Sequence, residues 1–270
     1  GLSLYFKSLF AKNLSIAYKP QRVELLGKLC KGQKVKDLLQ KADERNMVNK
    51  LVKELEIEYI LDHNIEELSG GELQRVAIAA AFAKQAKIVY LDEPSSFLDI
   101  SHRIKVAKLI REQAEGRSII VTEHDLATLD YISDEIQIVY GEPAAYGIFS
   151  QSKSVRRGIN EYLDGYLPDD NIKFRSYPIS FKGTTVERIT SPYTLVKTDP
   201  LEKSFPSFSL HVEECAIKQG EVLAIMGANG LGKSTFLKLL TGELEPDKGT
   251  RPEIRIAYKP QYLDQNIDNT

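Results

Sequence analysis

The sequence predicts an α/β protein in which a parallel sheet is flanked by helices, spread over parts of two domains. Three observations carry that prediction. Short β-branched runs at 87–91, 118–122 and 136–140 alternate with helical patterns at 101–115 and 125–131, as in a parallel sheet with helical crossovers. A glycine-rich loop, Gly227-Ala-Asn-Gly-Leu-Gly-Lys-Ser234, stands between an apolar run and an amphipathic one. The hexapeptide IAYKPQ occurs at 16–21 and again at 256–261, a separation of 240 (256 − 16), the size of one large domain plus a linker. The chain therefore runs from inside one domain to the matching point inside a second copy.

Taken in order, Leu2, Tyr5, Phe6, Leu9 and Phe10 have helical spacing, and a helix opening at residue 2 suggests a truncated start. Met47, Val48, Leu51, Val52 and Leu55 form a second amphipathic pattern, and the Ala-rich stretch 71–84 predicts a long packed helix. The alternating strands and helices follow. From about residue 150 the texture changes: 150–167 is polar and basic, and Pro168, Pro178, Pro192, Pro200 and Pro206 punctuate short alternating runs. This predicts a linker and then an antiparallel, β-rich start to the second domain. Beyond it, 221–226 is expected as a strand, 233–241 as a helix closed by Gly242, and 254–258 as another strand.

At 270 residues and 42% hydrophobic the chain can bury a real core, and its net charge of −2 supplies no bulk attraction for nucleic acid. The only cysteines, Cys30 and Cys215, lack Cys-x-x-Cys spacing, which argues for a reducing compartment and against a metal or iron–sulfur site on these residues. No run reaches the roughly 18 apolar residues that cross a bilayer, and no leader pattern opens the chain. A soluble, cytoplasmic protein is expected.

The loop 227–234 matches the phosphate-binding pattern G-x-x-x-x-G-K-S/T in its required strand-to-helix setting. Backbone amides around Gly227, Asn229, Gly230 and Gly232 turn inward on an anion, helped by the helix N-terminus. Lys233 is expected at the β and γ phosphates of ATP, Ser234 on Mg2+ and Thr235 near the α phosphate. The apolar run Ile88-Val-Tyr-Leu ends in Asp92 and Glu93. One carboxylate at such a strand end suits holding Mg2+ through water, the role expected of Asp92, and the next suits polarising an attacking water, the role of Glu93. Leu68-Ser69-Gly70-Gly71-Glu72-Leu73-Gln74 precedes the Ala-rich helix; Ser69 is an N-cap candidate, and two glycines cost helix stability unless something must approach closely.

These residues resemble the ABC-type ATPases. LSGGELQ is similar to that family's signature sequence, the loop Ser95-Ser96-Phe97-Leu98-Asp99 follows the acidic strand as in the family, and His124 in VTEHD matches its switch histidine. The repeated Tyr-Lys-Pro-Gln resembles the Q-loop, which makes Gln21 and Gln261 sensors of Mg2+ and the γ phosphate. Phe205 lies 22 residues (227 − 205) before Gly227, about where the family stacks an aromatic on adenine; a core position beside Phe208 is the other reading. The resemblance implies a P-loop NTPase fold with ABC nucleotide-binding domains in tandem: 1–149 the back part of a first domain, 150–183 a hinge, and 184–270 the front part of a second. In tandem ABC proteins each nucleotide lies between one domain's phosphate loop and the other's signature, so Ser69, Gly70, Gly71, Glu72 and Asp99 join the nucleotide-binding candidates. The catalytic set is split between the domains, and these residues alone are expected to hydrolyse ATP poorly. Rebuilding of one permuted site, with Lys233 meeting Asp92, is the structural alternative.

Within the family, Pro-Ser-Ser-Phe-Leu-Asp after Glu93 and the segments 140–151 and 157–167 are similar to subfamily E, the RNase L inhibitor or ribosome-recycling branch. That resemblance implies a factor that closes on ATP and parts the ribosomal subunits, with the small subunit and termination and recycling factors as partners and no membrane. The subfamily's iron–sulfur clusters are not expected on these residues. Lys153, Arg156 and Arg157, with Lys173 and Arg175, make the hinge basic, either as a solvated face or as an rRNA contact. The ATPase module of a transporter is the alternative function.

Overall fold

A computed structural model of the protein describes residues 15–180, 193–252, 254 and 256–259; the helix expected over 2–10 and Gln261 lie outside them. The chain divides into two units, Gly1–Lys182 and Gly183–Thr270.

In the first unit β1 (Ile16–Lys19), β2 (Ile88–Asp92) and β3 (Ser118–Thr122) form a parallel sheet with β2 in the centre. Alternation along these strands buries Ala17, Lys19, Val89 and Leu91 on one face. The parallel order requires crossovers long enough to return over the sheet, and helices supply them. Between β1 and β2 run α1 (Glu24–Leu29), α2 (Val35–Ala42), α3 (Val48–Glu54) and α4 (Gly70–Ala83). Helix α5 (Ile100–Gln113) links β2 to β3, and α6 (Leu126–Ile132) follows. Helix α4 is buried on almost every side, Leu73 to Ala79 and Ala81 to Ala83, because it lies between the sheet and helices α2 and α3. Its alanines permit that double packing: a short side chain lets a backbone approach both neighbours.

The run 136–140, expected as one strand, is divided between two antiparallel ladders. Strand β4 (Glu135–Ile136) pairs with β7 (Lys153–Ser154), and β5 (Val139–Glu142) pairs with β6 (Tyr146–Phe149). The turn at Pro143 and Ala144, the latter at φ +62°, brings a partner strand within a few residues, and so short a loop closes at far lower entropic cost than joining a distant sheet. Helix α7 (Val155–Asp164) then ends at Gly165, whose φ of +75° sets the left-handed cap. Arg175 closes that end, donating to the Leu163 carbonyl at 2.8 Å and lying over the rings of Tyr162 and Phe174. Strands β8 (Tyr166–Leu167) and β9 (Ile172–Lys173) pair across the intervening turn.

The basic hinge is largely neutralised from within. Lys153 is buried and donates to Asp169 at 2.5 Å, with Glu161 at 3.3 Å; Arg157 serves the same two carboxylates at 2.7 and 2.6 Å. Lys153 is thus unavailable to an external phosphate; Arg156, Arg157 and Lys173 are exposed, and of these Arg157 is engaged by Glu161 and Asp169.

In the second unit β10 (Thr194–Thr198) pairs with β13 (Cys215–Lys218), and β11 (Leu201–Phe205) with β12 (Phe208–Val212), both antiparallel. Helix α8 (Lys233–Thr241) runs between Gly232 and Gly242. Residues 221–226 and the described part of 254–258 form no strand, contrary to expectation. An apolar run is held as a parallel strand by neighbours on both edges and layers on both faces, and among the described residues of this unit none supplies them; Met226 is 80% exposed.

Lys153→Met is expected to destabilise the first unit by about 1–3 kcal/mol. The loss falls short of that for an orphaned buried pair because Arg157 still serves Glu161 and Asp169. Urea denaturation followed by circular dichroism checks it.

Candidate functional site

The acidic end of β2 gathers residues from four separate parts of the chain. Pairing of Asp92 with Thr122 across β2 and β3 sets the Thr122 hydroxyl on Asp92 Oδ1, and the Tyr18 hydroxyl lies 3.4 Å from Oδ2. Tyr18 itself stacks on Tyr90, ring centroids 5.1 Å apart, and burial followed by the Asp92 charge raises its phenol pKa. Glu93 then leaves the strand in a left-handed turn at φ +46°, its amide donating to the Thr122 carbonyl at 2.9 Å. Its Oε1 accepts from Gln21 Nε2 at 2.6 Å and lies 3.5 Å from His124 Nε2, while Oε2 accepts from the Ser96 hydroxyl at 3.0 Å. Gln21, Asp92, Glu93 and His124 are therefore neighbours. The His124 side chain is 87% exposed against 21% for Glu93, so the carboxylate sits at the floor of the cluster and the imidazole at its open edge.

Several further residues of this cluster lie within the motif strings but had no role assigned to them there: Lys19 in Tyr-Lys-Pro-Gln, Gln74 in LSGGELQ and Glu123 in VTEHD. Lys19 is wholly buried, its ammonium donating to the carbonyls of Asp92 at 2.6 Å and Glu93 at 3.2 Å. Burial pushes its pKa down to about 8 against the upward pull of Asp92, Glu93 and Glu123. Gln74 Nε2 donates to the same Glu93 carbonyl at 2.7 Å. Glu123 accepts from the amides of His124 at 2.9 Å and Asp125 at 3.3 Å through one oxygen and of Ser95 at 3.2 Å through the other, tying the loop after β2 to the loop after β3. Its place beside His124 at a strand end was the available clue. Lys19 offered its inward register in β1 and its place in the repeated hexapeptide.

The N-terminus of α4 is closed by a capping box. Glu72 Oε2 accepts from the Ser69 amide at 2.8 Å and hydroxyl at 2.6 Å, and Ser69 Oγ accepts from the Glu72 amide at 3.4 Å. Gly70 and Gly71 follow in the first turn, whose amides have no intrahelical acceptor. Tyr59 donates to Glu72 Oε1 at 2.7 Å and accepts from Arg75 at 3.0 Å. Asp99 caps α5, accepting from the His102 amide at 2.9 Å with His102 Nδ1 also at 2.9 Å.

In the second unit Gly227, Gly230 and Gly232 all have positive φ, at 152°, 81° and 87°, turning the loop into a concave run of amides before α8. Lys233 Nζ rests on the carbonyls of Gly227 at 2.7 Å and Ala228 at 2.6 Å, across the mouth of that loop, and Ser234 is exposed beside it. A phosphate chain fits such a cradle: the ammonium occupies the loop's mouth, where an anion would draw it off the carbonyls. Thr235 is half-buried on the first turn of α8 and Asn229 lies within the loop. Phe205 stacks on Phe208 at 6.2 Å across the end of the β11–β12 hairpin, and a Cβ at Gly232 would stand 2.7 Å from Phe208 Cζ. The aromatic pair thus adjoins the loop, with Phe205 partly exposed. Among the described residues no group of three or more His, Cys, Asp or Glu converges as a metal centre would. No helix among the described residues is long and apolar enough to cross a membrane.

Comparison with known proteins places this geometry. The ABC transporter family model matches residues 6–96 and 210–266. An uncharacterised ABC transporter ATP-binding protein of Methanocaldococcus jannaschii is 47% identical over 100% of this chain and 45% of its own length. The translation initiation factor RLI1 of Saccharomyces cerevisiae is 38% identical over 100% of this chain and 46% of its own. Among solved structures, archaeal ribosome recycling factor aABCE1 in complex with the ribosomal stalk protein aP1 superposes with a TM-score of 0.83 at 51% identity, covering 97% of this chain and 51% of that one. A model of ribosome-bound archaeal Pelota and ABCE1 gives a TM-score of 0.91 at 50% identity, covering 97% of this chain and 44% of that one. The chain spans about half the length of the relatives it matches.

The Glu72 carboxyl supplies a pH test. Burial raises its pKa, but the bonds from Ser69 and Tyr59 outweigh burial and hold it below the ordinary value of a glutamate. A folded-state pKa below the unfolded one stabilises at pH above the unfolded value and loses that contribution as pH falls through the folded value. The gap in urea midpoint between wild type and Glu72→Gln is expected to be widest near neutral pH and to close below a pH of about 4.

Proposed function

The chain belongs to the ABC family of ATPases, in its subfamily E branch, and on that premise we propose that it forms part of a twin-cassette ATPase that dissociates ribosomal subunits. Binding of ATP and Mg2+ goes with the family. The observation that supports a hydrolytic role most is the meeting of Gln21, Asp92, Glu93 and His124 at one strand end.

In this reading each unit contributes to the nucleotide site of its own cassette. The amides around Gly227, Asn229, Gly230 and Gly232 bind phosphate oxygens, Lys233 neutralises the β and γ phosphates, Thr235 lies near the α phosphate, and Phe205 offers a ring for the base. In the first unit Glu93 takes the proton of the attacking water, its carboxylate held by Gln21 and Ser96. His124, at the open edge, donates toward the terminal phosphoryl group. Asp92 and Gln21 in one cassette, and Ser234 with Gln261 in the other, are the residues proposed to hold Mg2+, which when bound withdraws charge from the phosphate oxygens. The first-turn amides at Ser69, Gly70 and Gly71 form a second anion-binding surface, shaped by Glu72, and Asp99 completes the loop after β2.

The partners proposed are the small ribosomal subunit and termination and recycling factors, since the similar structures are of a ribosome recycling factor with a stalk protein and of a ribosome-bound complex. This implies a cytoplasmic location. Contact with the rRNA backbone at the hinge falls to Arg156 and Lys173, with Arg157 exposed but shared with Glu161 and Asp169. No role in holding an iron–sulfur cluster is proposed for the described residues.

The test uses the full-length protein, with the second cassette's own glutamate changed to Gln so that one site is read. Adding Glu93→Gln is expected to lower ATP turnover at least about 100-fold with ATP still bound, and Lys233→Ala to weaken binding at the other site. Wild-type protein should part purified ribosomal subunits in the presence of ATP. Unchanged turnover in Glu93→Gln sinks the assignment of the base; turnover stimulated by membranes but not by ribosomes sinks the ribosomal reading.

A further inference from the structure

Glu93 is a non-glycine residue in the left-handed region, at φ +46°, a conformation that costs about 1–3 kcal/mol and persists only where the surroundings hold it. Its backbone is held on both sides. The amide donates to the Thr122 carbonyl at 2.9 Å, and the carbonyl accepts from Gln74 Nε2 at 2.7 Å and Lys19 Nζ at 3.2 Å. Both donors are 0% exposed, and Lys19 also takes the preceding carbonyl, of Asp92, at 2.6 Å. Gln74 makes this bond at a cost, because its Oε1 is buried without a partner among the described residues, a defect worth about 1–3 kcal/mol that an apolar side chain of similar size would remove. Two buried polar groups therefore converge on the peptide of one residue, and neither is bonded to its carboxylate.

We propose that Lys19 and Gln74 are positioning residues for the Glu93 carboxylate. They lock the peptide after Glu93 into its left-handed turn and so aim the side chain at Gln21 and His124. The inference rests on the reading of Glu93 as the base, and it assigns a catalytic purpose to two residues outside the nucleotide-contacting set. A carboxylate displaced by about 1 Å from its water loses up to about 100-fold in rate while ground-state binding of the nucleotide is untouched.

The test again uses the full-length protein with the second cassette's glutamate changed to Gln. Gln74→Leu, with Gln74→Met as the alternative should the branched side chain fail to fold, and Lys19→Met are each compared with Glu93→Gln. For the Gln74 variants the expected result is a kcat for ATP lowered about 10- to 100-fold, a KM changed less than about twofold, and a melting temperature close to wild type, because removal of the orphaned oxygen offsets the lost bond to a carbonyl that Lys19 still serves. Combining Gln74→Leu with Glu93→Gln should add no further loss, since both act through one carboxylate. Lys19→Met should show the same split between kcat and KM. Wild-type kcat in the Gln74 and Lys19 variants, with Glu93→Gln inactive, overturns the inference alone. Parallel loss of melting temperature and nucleotide affinity also overturns it, as a merely structural role would give. Full activity in Glu93→Gln instead overturns the reading of the base on which the inference stands.

Discussion

Two successive peptide carbonyls, those of Asp92 and Glu93, meet at the end of β2 just where the chain turns out of the sheet and its ladder stops supplying donors. Buried carbonyls without donors are too costly to leave, so the fold brings side chains to them: an ammonium from β1 and an amide from α4. The first unit's candidate site depends on this substitution of side-chain donors for strand donors. It permits the left-handed turn at Glu93, and the turn places one carboxylate between Gln21, Ser96 and the edge of His124. The desolvation of Lys19 is offset partly by the carbonyls it satisfies and partly by the acidic groups around it, which is why its pKa falls only to about 8.

Helix α4 joins the two kinds of work in this unit. Its first turn, capped by Ser69 and Glu72, presents glycine amides outward, while Gln74, about 7 Å further along the helix axis, reaches inward to Glu93. A rigid, fully packed helix transmits any shift of its first turn to that amide. The alanines that let α4 pack between sheet and helices are thus also what make it stiff enough to connect the two positions.

Much of this was legible in the sequence, for local reasons. Short β-branched runs marked β2 and β3, the Ala-rich stretch marked α4, and Ser69 with Glu72 three residues on is a capping signature whose geometry follows from the helix itself. What escaped depended on distant partners. A lysine in a strand reads as a surface residue, and only the pairing of β1 with β2 shows Lys19 under the acidic pair. The run 136–140 has strand propensity, but a hairpin close in sequence claimed it. Residues 221–226 have the composition of a buried strand without the neighbours that would make them one. The hinge looked uniformly basic because charge was read along the chain, whereas in space Glu161 and Asp169 pair with Lys153 and Arg157.

The last glycine of the phosphate loop is constrained from two directions. Gly232 adopts a φ that side chains avoid, and the ring of Phe208 fills the space where a Cβ would stand. A descendant of this domain that had ceased to bind nucleotide would still be obliged to retain that glycine simply to keep its hairpin seated. Glycine spacing is accordingly a record of architecture, and the lysine that follows, whose ammonium rests on the loop's own carbonyls, is the more sensitive marker of whether such a pseudo-enzyme has lost its ligand.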